Sequence, residues 1–206
     1  MKYRINIHAH SFFSDGVNSP FVMATEAKRL GFSALVITDH FYGRKIPEFM
    51  SPMSFKILKR SCHEAKDIIP IILGIEVPFM GQEVLVFGGA AIKSILENGK
   101  PDMDKMLKLK KETGCAVILC HPGEDFHFAI PALDGYERFN SGFDYFRDNR
   151  DFGKLEDLPG WCNSDAHTFE DLKTGYNQIN SKIKNEGDLI KYIKKGGQPT
   201  FVLKKK

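Results

Sequence analysis

Long hydrophobic runs are missing from the 206-residue chain: no apolar stretch follows Met1 that would serve as a signal peptide, and none approaches the roughly 20 residues needed to span a bilayer. That leaves no membrane role and suggests a cytoplasmic location. Cysteine is scarce as well. Cys62, Cys115, Cys120 and Cys162 lie without a Cys-x-x-Cys pair, which fits free thiols in a reducing compartment. Cys115 and Cys120 flank the apolar run Ala116 to Leu119, where cysteine serves as a small core residue. Excess charge of one sign is also small: 29 basic against 26 acidic side chains leave +3, too little for a long-range field to gather nucleic acid or a membrane surface. Lys191, Lys194, Lys195 and Lys204 to Lys206 read as a solvated helix face and tail. Repeats and low-complexity segments are absent.

What is present is ordinary folded-protein composition, 42% hydrophobic and 27% charged. A chain of this length fits a single domain over residues 1–206 and hides roughly 70% of its unfolded surface. Ile5 and Ile7 open a first strand that ends in His8 and His10. A loop carrying Asp15-Gly16 follows, and Pro20 starts a helix stopped by Gly31. Further strands are expected at Ser33 to Thr38, Ile71 to Glu76, Glu83 to Phe87, Ala116 to Cys120, around Trp161 to Asn163 and at Pro199 to Leu203. Helices are expected over Ser54 to Lys66, around Met103 to Gly114 and over Asp188 to Lys195. Only Tyr136 to Phe139 suggests a strand between Gly123 and Gly160. Short apolar strands alternating with amphipathic helices imply a parallel α/β protein.

The polar residues fall in a pattern. His8, His10, His40, Glu76, His121, Asp165 and His167 all stand at or just past strand ends, where an α/β barrel gathers the groups of its active site on one rim. His8-x-His10 turns two imidazoles to one side of a strand. Acids accompany the histidines: Asp15, Asp39, Glu76 and Asp165. Mixed imidazole and carboxylate donors suit zinc, manganese or iron, whereas magnesium and calcium favour oxygen donors almost alone. Asp39 is read as a hydrogen-bond acceptor in the loop, and His63 as a structural residue on a helix. Glu137 and Asn140 end the weak strand, on the rim or on the surface, and are not counted as ligands.

Taken together, His8-Ala-His10, Ser14-Asp15-Gly16, Thr38-Asp39-His40, Gly74-Ile75-Glu76, His121-Pro122 and Ser164-Asp165-Ala166-His167 resemble the polymerase and histidinol phosphatase (PHP) superfamily, in its small stand-alone form. The resemblance implies a distorted (βα)7 TIM-like barrel with two or three divalent metal ions, manganese, zinc or iron, at the C-terminal ends of the strands. It implies that His8, His10, Glu76 and Asp165 hold a first ion, that Glu76 bridges to a second bound by His121, and that Asp15, His40 and His167 hold a third. Glu83 stands where many members carry a histidine for the second ion, and is the candidate ligand there. The implied activity is hydrolysis of a phosphate ester, on a small phosphomonoester or a nucleotide, by a metal-bound hydroxide. Glu76 and Asp165 are then the central catalytic groups. His127 is a candidate acid for the leaving group, and Arg44 and Lys45 are candidate phosphate contacts.

Two other readings compete. A single-strand-directed exonuclease on the same scaffold would stack bases on Phe126, Phe128, Tyr136, Phe139 and Phe143, although the modest charge disfavours a nucleic-acid partner. A catalytically decayed metal-binding regulatory domain would keep the ligands and lose the turnover, with Glu83 its one sign.

Overall fold

The computed structural model describes residues 2–41, 50–123, 131–143 and 152–203. In chain order its elements are β1 (Tyr3–Asn6), α1 (Pro20–Arg29), β2 (Phe32–Ile37), α2 (Pro52–Glu64), β3 (Ile71–Phe79), β4 (Gln82–Phe87), α3 (Gly89–Asn98), α4 (Met103–Thr113), β5 (Ala116–Leu119), β6 (Gly135–Asn140), β7 (Gly160–Asn163), β8 (Gly175–Ile179), α5 (Glu186–Lys194) and β9 (Thr200–Leu203). Local chemistry sets the helix boundaries. Ser19 caps α1 by accepting from the Val22 N–H, with Pro20 just inside. Ser51 and Pro52 do the same for α2, which therefore begins two residues before Ser54. Asp102 caps α4, and Gly114 ends it at φ 69°, a left-handed conformation that glycine adopts without strain.

All nine strands join one sheet in the order β7-β6-β5-β4-β3-β2-β1-β8-β9. Pairing is parallel for β1–β2, β2–β3, β5–β6 and β6–β7. In contrast, β4 runs antiparallel to both β3 and β5, and β8 antiparallel to β1 and β9. The sheet is thus mixed, where the strand and helix pattern implied a parallel one. The cause is a two-residue turn: Met80 and Gly81 sit at φ 51° and 80°, the positive values a tight hairpin needs, so β3 returns directly as β4 with no helix between. Strict βα alternation fails at that point. The barrel shape holds nonetheless. Ala9 bridges Ala166, the His10 N–H donates to the Ala166 carbonyl at 2.8 Å, and the Ile7 N–H donates to Asn163 Oδ1 at 3.2 Å, so the chain after β1 meets the chain after β7 and the seven-strand run is nearly closed.

Alternation along the strands splits the apolar residues into two cores. Leu35, Ile37, Ile75, Val77, Val84 and Val86 pack outward, against Met23 and Ala27 of α1, Leu58 of α2, and Ile92 and Ile95 of α3. Ile5, Ile7, Val36, Leu85, Phe87 and Ile118 pack within the barrel and are joined by Leu189 and Ile193 of α5. Each fully buried Leu or Ile contributes roughly 1.5–3 kcal/mol. Gly74 is required by this inner packing, because a Cβ there would stand 2.8 Å from the Phe87 ring.

Between β7 and β8 a side chain does the work of a ladder. Asn177 Nδ2 donates to the Cys162 carbonyl at 2.6 Å, and Asn177 Oδ1 accepts from the Cys162 N–H at 2.8 Å. The residue is fully buried. Asn177→Ala strands both backbone groups away from water, and we expect a loss of about 2–4 kcal/mol in urea unfolding. A change below about 0.5 kcal/mol, the level of an ordinary surface substitution, would show that the seam does not depend on this amide.

Candidate metal centre

Backbone pairing at the end of the barrel opposite α5 delivers the polar residues. Beyond β2, the Thr38 N–H bonds the Ala9 carbonyl, while Glu76 N–H and C=O bond Asp39 and Phe41, so the segments bearing His10, His40 and Glu76 lie side by side. Glu76 sits inside β3, which runs on to Phe79 rather than stopping at Glu76. Glu83 is the second residue of the antiparallel strand β4, opposite Pro78, and so reaches the same rim from the start of its strand. His121 follows β5, and Asp165 and His167 follow β7. His121 and Asp165 hold φ of 22° and 50°. Such values are strained for side-chain-bearing residues and concentrate at functional sites.

The side chains converge on Glu76. Its Oε2 lies 3.2 Å from His8 Nε2, 3.3 Å from His10 Nε2 and 3.1 Å from His40 Nδ1, while Oε1 lies 3.1 Å from His121 Nε2. Asp165 Oδ1 approaches His8 Nε2 at 3.3 Å and His10 Nε2 at 3.0 Å. Asp15 reaches His167 at 3.3 Å, His40 at 3.6 Å and His10 at 3.8 Å. Glu83 stands 3.7 Å from His121 and 3.9 Å from His40. Donor atoms of His10, Asp15, His40 and His167 lie within 4.8 Å of one another, as do those of His8, His10 and Glu76, of Glu76, Cys120 and His121, and of His40, Glu76 and Glu83.

The loop carrying Asp15 is fixed from beneath by Asp39, a buried carboxylate that accepts from the Ser11 N–H and hydroxyl, both at 2.6 Å, and from the Ser14 hydroxyl at 2.7 Å. It thus acts as a loop acceptor. Gly16 completes the turn at a close approach: a Cβ there would lie 2.5 Å from the His10 carbonyl oxygen.

Protonation follows from this crowding. Burial opposes charge on His10, but Asp165 and Glu76 overcome it and push its pKa up to about 10. His8 is likewise raised, with burial outweighed by Asp165, Glu137 and Glu76. Burial would raise the carboxylates, yet the imidazoles hold Glu76, Asp15 and Asp165 well below the usual carboxylate range. Without a metal, Glu76, Asp15 and Asp165 thus keep their charge to lower pH than free carboxylates, and His8 and His10 keep a second proton to higher pH than a free imidazole.

All nine residues expected as ligands, His8, His10, Asp15, His40, Glu76, Glu83, His121, Asp165 and His167, therefore meet at one rim. Arg44, Lys45 and His127 lie outside the described residues. His63 is exposed on α2. Sequence reasoning undervalued two residues, Glu137 and Asn140, and did not foresee the site neighbours of a third, Cys120. Cys120 lies in the inner core as expected, and its thiol is also within reach of Glu76 and His121. Glu137 and Asn140 are buried beneath the site rather than on the surface, with Glu137 Oε1 2.8 Å from His8 Nδ1. Their signal was two polar residues closing a weak strand at the rim that gathers the histidines.

A divalent cation fits this donor set. Among the described residues, His10 Nδ1, His40 Nδ1 and Asp165 Oδ1 are buried without a well-formed hydrogen bond, although His40 Nδ1 lies 3.1 Å from Glu76 Oε2 and Asp165 Oδ1 3.0 Å from His10 Nε2, and an ion among them would satisfy groups that are costly to leave unmet. Imidazole and carboxylate together are the donors of transition-type metals.

A nearly closed α/β barrel with clustered imidazoles and carboxylates on one rim defines a metal-binding barrel protein. The PHP domain family matches residues 6–158, and the PHP-associated family matches residues 150–197. The chain belongs to the PHP family. A comparison with curated proteins finds no match. Among solved structures, a two-domain Bacteroides vulgatus protein containing a predicted PHP-like metal-dependent phosphoesterase is similar over 98% of this chain and 65% of its own, at 18% identity and TM-score 0.68. PsfC from Pseudomonas syringae is similar over 98% and 92%, at 14% identity and TM-score 0.71. The lesion-specific endonuclease PfuEndoQ from Pyrococcus furiosus is similar over 98% and 58%, at 16% identity and TM-score 0.65. At these identities the likeness concerns the fold, and this chain spans about two thirds of the first protein and less of the third.

Proposed function

We propose that the chain is a phosphoesterase working with two or three divalent ions, manganese, zinc or iron, as a single unit over residues 1–206. The observation that carries this reading is the position of Glu76, whose two oxygens face different imidazoles: His121 on one side and His8, His10 and His40 on the other. A carboxylate so placed is suited to bridging. His8, His10, Glu76 and Asp165 would hold a first ion, Glu76, Glu83 and His121 a second, and Asp15, His40 and His167 a third. Bound there, the ions would polarise the phosphoryl oxygens and lower the pKa of water near neutrality. The chain's own residues set the geometry. Burial of His8, His10 and Glu76 keeps the floor dry, and His167, the most open of the set at 38% exposed, borders solvent where an ester would enter. His127 would protonate the leaving group, and Arg44 or Lys45 would engage phosphate. A small phosphomonoester or nucleotide in a reducing, cytoplasmic setting is the favoured substrate, consistent with four buried free cysteines.

The likeness to an endonuclease fold favours a second reading, in which nucleic acid is the substrate. Two of its stacking candidates are committed elsewhere: Tyr136 is buried against Phe152, and Phe139 packs edge-on to Phe201. The deciding experiment measures metal content of the purified chain with hydrolysis of an aryl phosphate, before and after chelation and after manganese is restored. Bound ions with chelator-sensitive hydrolysis are expected. Salt-sensitive degradation of short oligonucleotides without ester hydrolysis would favour the nuclease, and metal without turnover on either would indicate a binding domain.

A further inference from the structure

Glu137 is a fully buried carboxylate on β6 that touches none of the open donor positions, yet it is saturated with hydrogen bonds. Its Oε1 meets His8 Nδ1 and Asn163 Nδ2, both at 2.8 Å. Its Oε2 accepts from the His121 N–H and from Asn140 Nδ2, both at 2.8 Å. The amide orientations follow from their other ends. Asn163 Oδ1 accepts from the Ile7 N–H and from Asn177 Nδ2, and Asn140 Oδ1 accepts from the Gly142 N–H, so each presents its NH2 to Glu137. Both oxygens of Glu137 therefore act as acceptors only. His8 must then donate through Nδ1, so the proton that a bound ion would displace is the one on Nε2, the nitrogen that faces Glu76 and Asp165.

We infer that Glu137 is a positioning residue that sets two of the proposed pockets at once, fixing the tautomer of His8 in the first and the main chain of His121 in the second. The inference rests on the metal reading above. His121 carries a positive φ, and the hydrogen bond from its N–H to Glu137 holds that conformation. Asn140 extends the reach to Asp165, donating at 3.3 Å to its Oδ2 while also donating to Glu137. Asp165 is the other rim residue with a positive φ. Glu137 thus holds His8 and His121 directly and Asp165 through one amide. Carboxylates behind metal-binding imidazoles typically govern affinity by about 10–100-fold.

Glu137→Gln keeps the size but sets an NH2 group against two N–H donors in either orientation. With the NH2 toward His8, the ring must turn to its other tautomer and carry a proton into the donor position. With the NH2 toward His121, the backbone N–H loses its acceptor. The test uses the full chain loaded with zinc, which is diamagnetic, and reads long-range 1H–15N correlations of the imidazoles beside competitive zinc titration. The wild type is expected to show a protonated His8 Nδ1 exchanging slowly with water. Glu137→Gln should weaken zinc binding by about 10–100-fold and lose or accelerate exchange of that proton. Unchanged affinity with an unchanged Nδ1–H signal in a folded Glu137→Gln protein overturns the inference. Should that variant not fold, the wild-type spectrum decides alone, since a His8 Nδ1 without a proton also overturns it. A folded wild type that takes up no zinc or manganese defeats the metal reading itself, a distinct result.

Discussion

Glu76→Gln is expected to reduce chelator-sensitive phosphate ester hydrolysis by about 10²–10³-fold or more, the scale seen when one preorganised electrostatic group is removed from a reacting centre. The substitution preserves size and polarity at a buried position while removing the one charge that approaches His8, His10, His40 and His121 together. Bound metal per chain should fall in parallel, because a carboxamide is a poor bridge between cations. His63→Ala, on the exposed face of α2, serves as the matched control and should turn over as the wild type does. Turnover of Glu76→Gln within a few-fold of wild type would remove Glu76 from the centre of the mechanism.

Metal removal has the second large effect, and its sign depends on pH. In the metal-free chain His10 holds its proton up to about pH 10 against an ordinary value of 6.5. That group's stabilisation is complete below about 6.5 and is lost as pH rises toward 10. Asp15, Glu76 and Asp165 are shifted the other way, from ordinary values of 3.8, 4.5 and 3.8, so their contribution is present above those values and lost on acidification. The metal-free protein should therefore melt at its highest temperature between about pH 4.5 and 6.5 and at progressively lower temperature toward pH 10. Ions compete with the same protons and bind more tightly as pH rises. At saturation near 1,000 times Kd an ion adds about 4 kcal/mol, or on the order of 10 °C in a chain of this size. Thermal melts with and without chelator should diverge by that amount at pH 8 and draw together at pH 6. A gap that is equal or wider at pH 6 would contradict proton and metal competition at the rim.

Much of this was legible in the sequence because the signals were local. Ser19-Pro20 and Gly31 announce α1, and the runs at Leu35 to Ile37 and Ala116 to Leu119 announce inner strands. Most rim residues were legible for the same reason, His8, His10, His40, Glu76, His121, Asp165 and His167 standing at or just past the end of an apolar run, whereas Asp15 lies in a loop and Glu83 near the start of a strand. Strand direction was not: β4 is antiparallel because of a Met-Gly turn, and methionine at positive φ is not a sequence cue. Helix α3 was hidden by Gly88-Gly89, which reads as a breaker, although Ala91, Ile92 and Ile95 bury one face. β8 was hidden by its polar Asn177-Gln178, whose amide serves the seam rather than solvent. Glu137 escaped for a related reason, since its partners His8 and Asn163 are 129 and 26 residues away.

The hairpin of β3 and β4 orders events in time. Glu76 and Glu83 are brought together by a two-residue turn, and hairpins close in roughly microseconds. The imidazoles arrive otherwise, because His8 meets Glu137 across 129 residues and Asn6 meets Ser164 across 158, contacts that form only when the barrel shuts. Glu76 and Glu83 are joined locally by the hairpin, whereas Asp165 and the imidazoles join them only when the barrel shuts. A divalent ion would consequently find its full set of donors only on the finished fold, so metal is expected to slow unfolding and to leave the rate of folding to the chain alone.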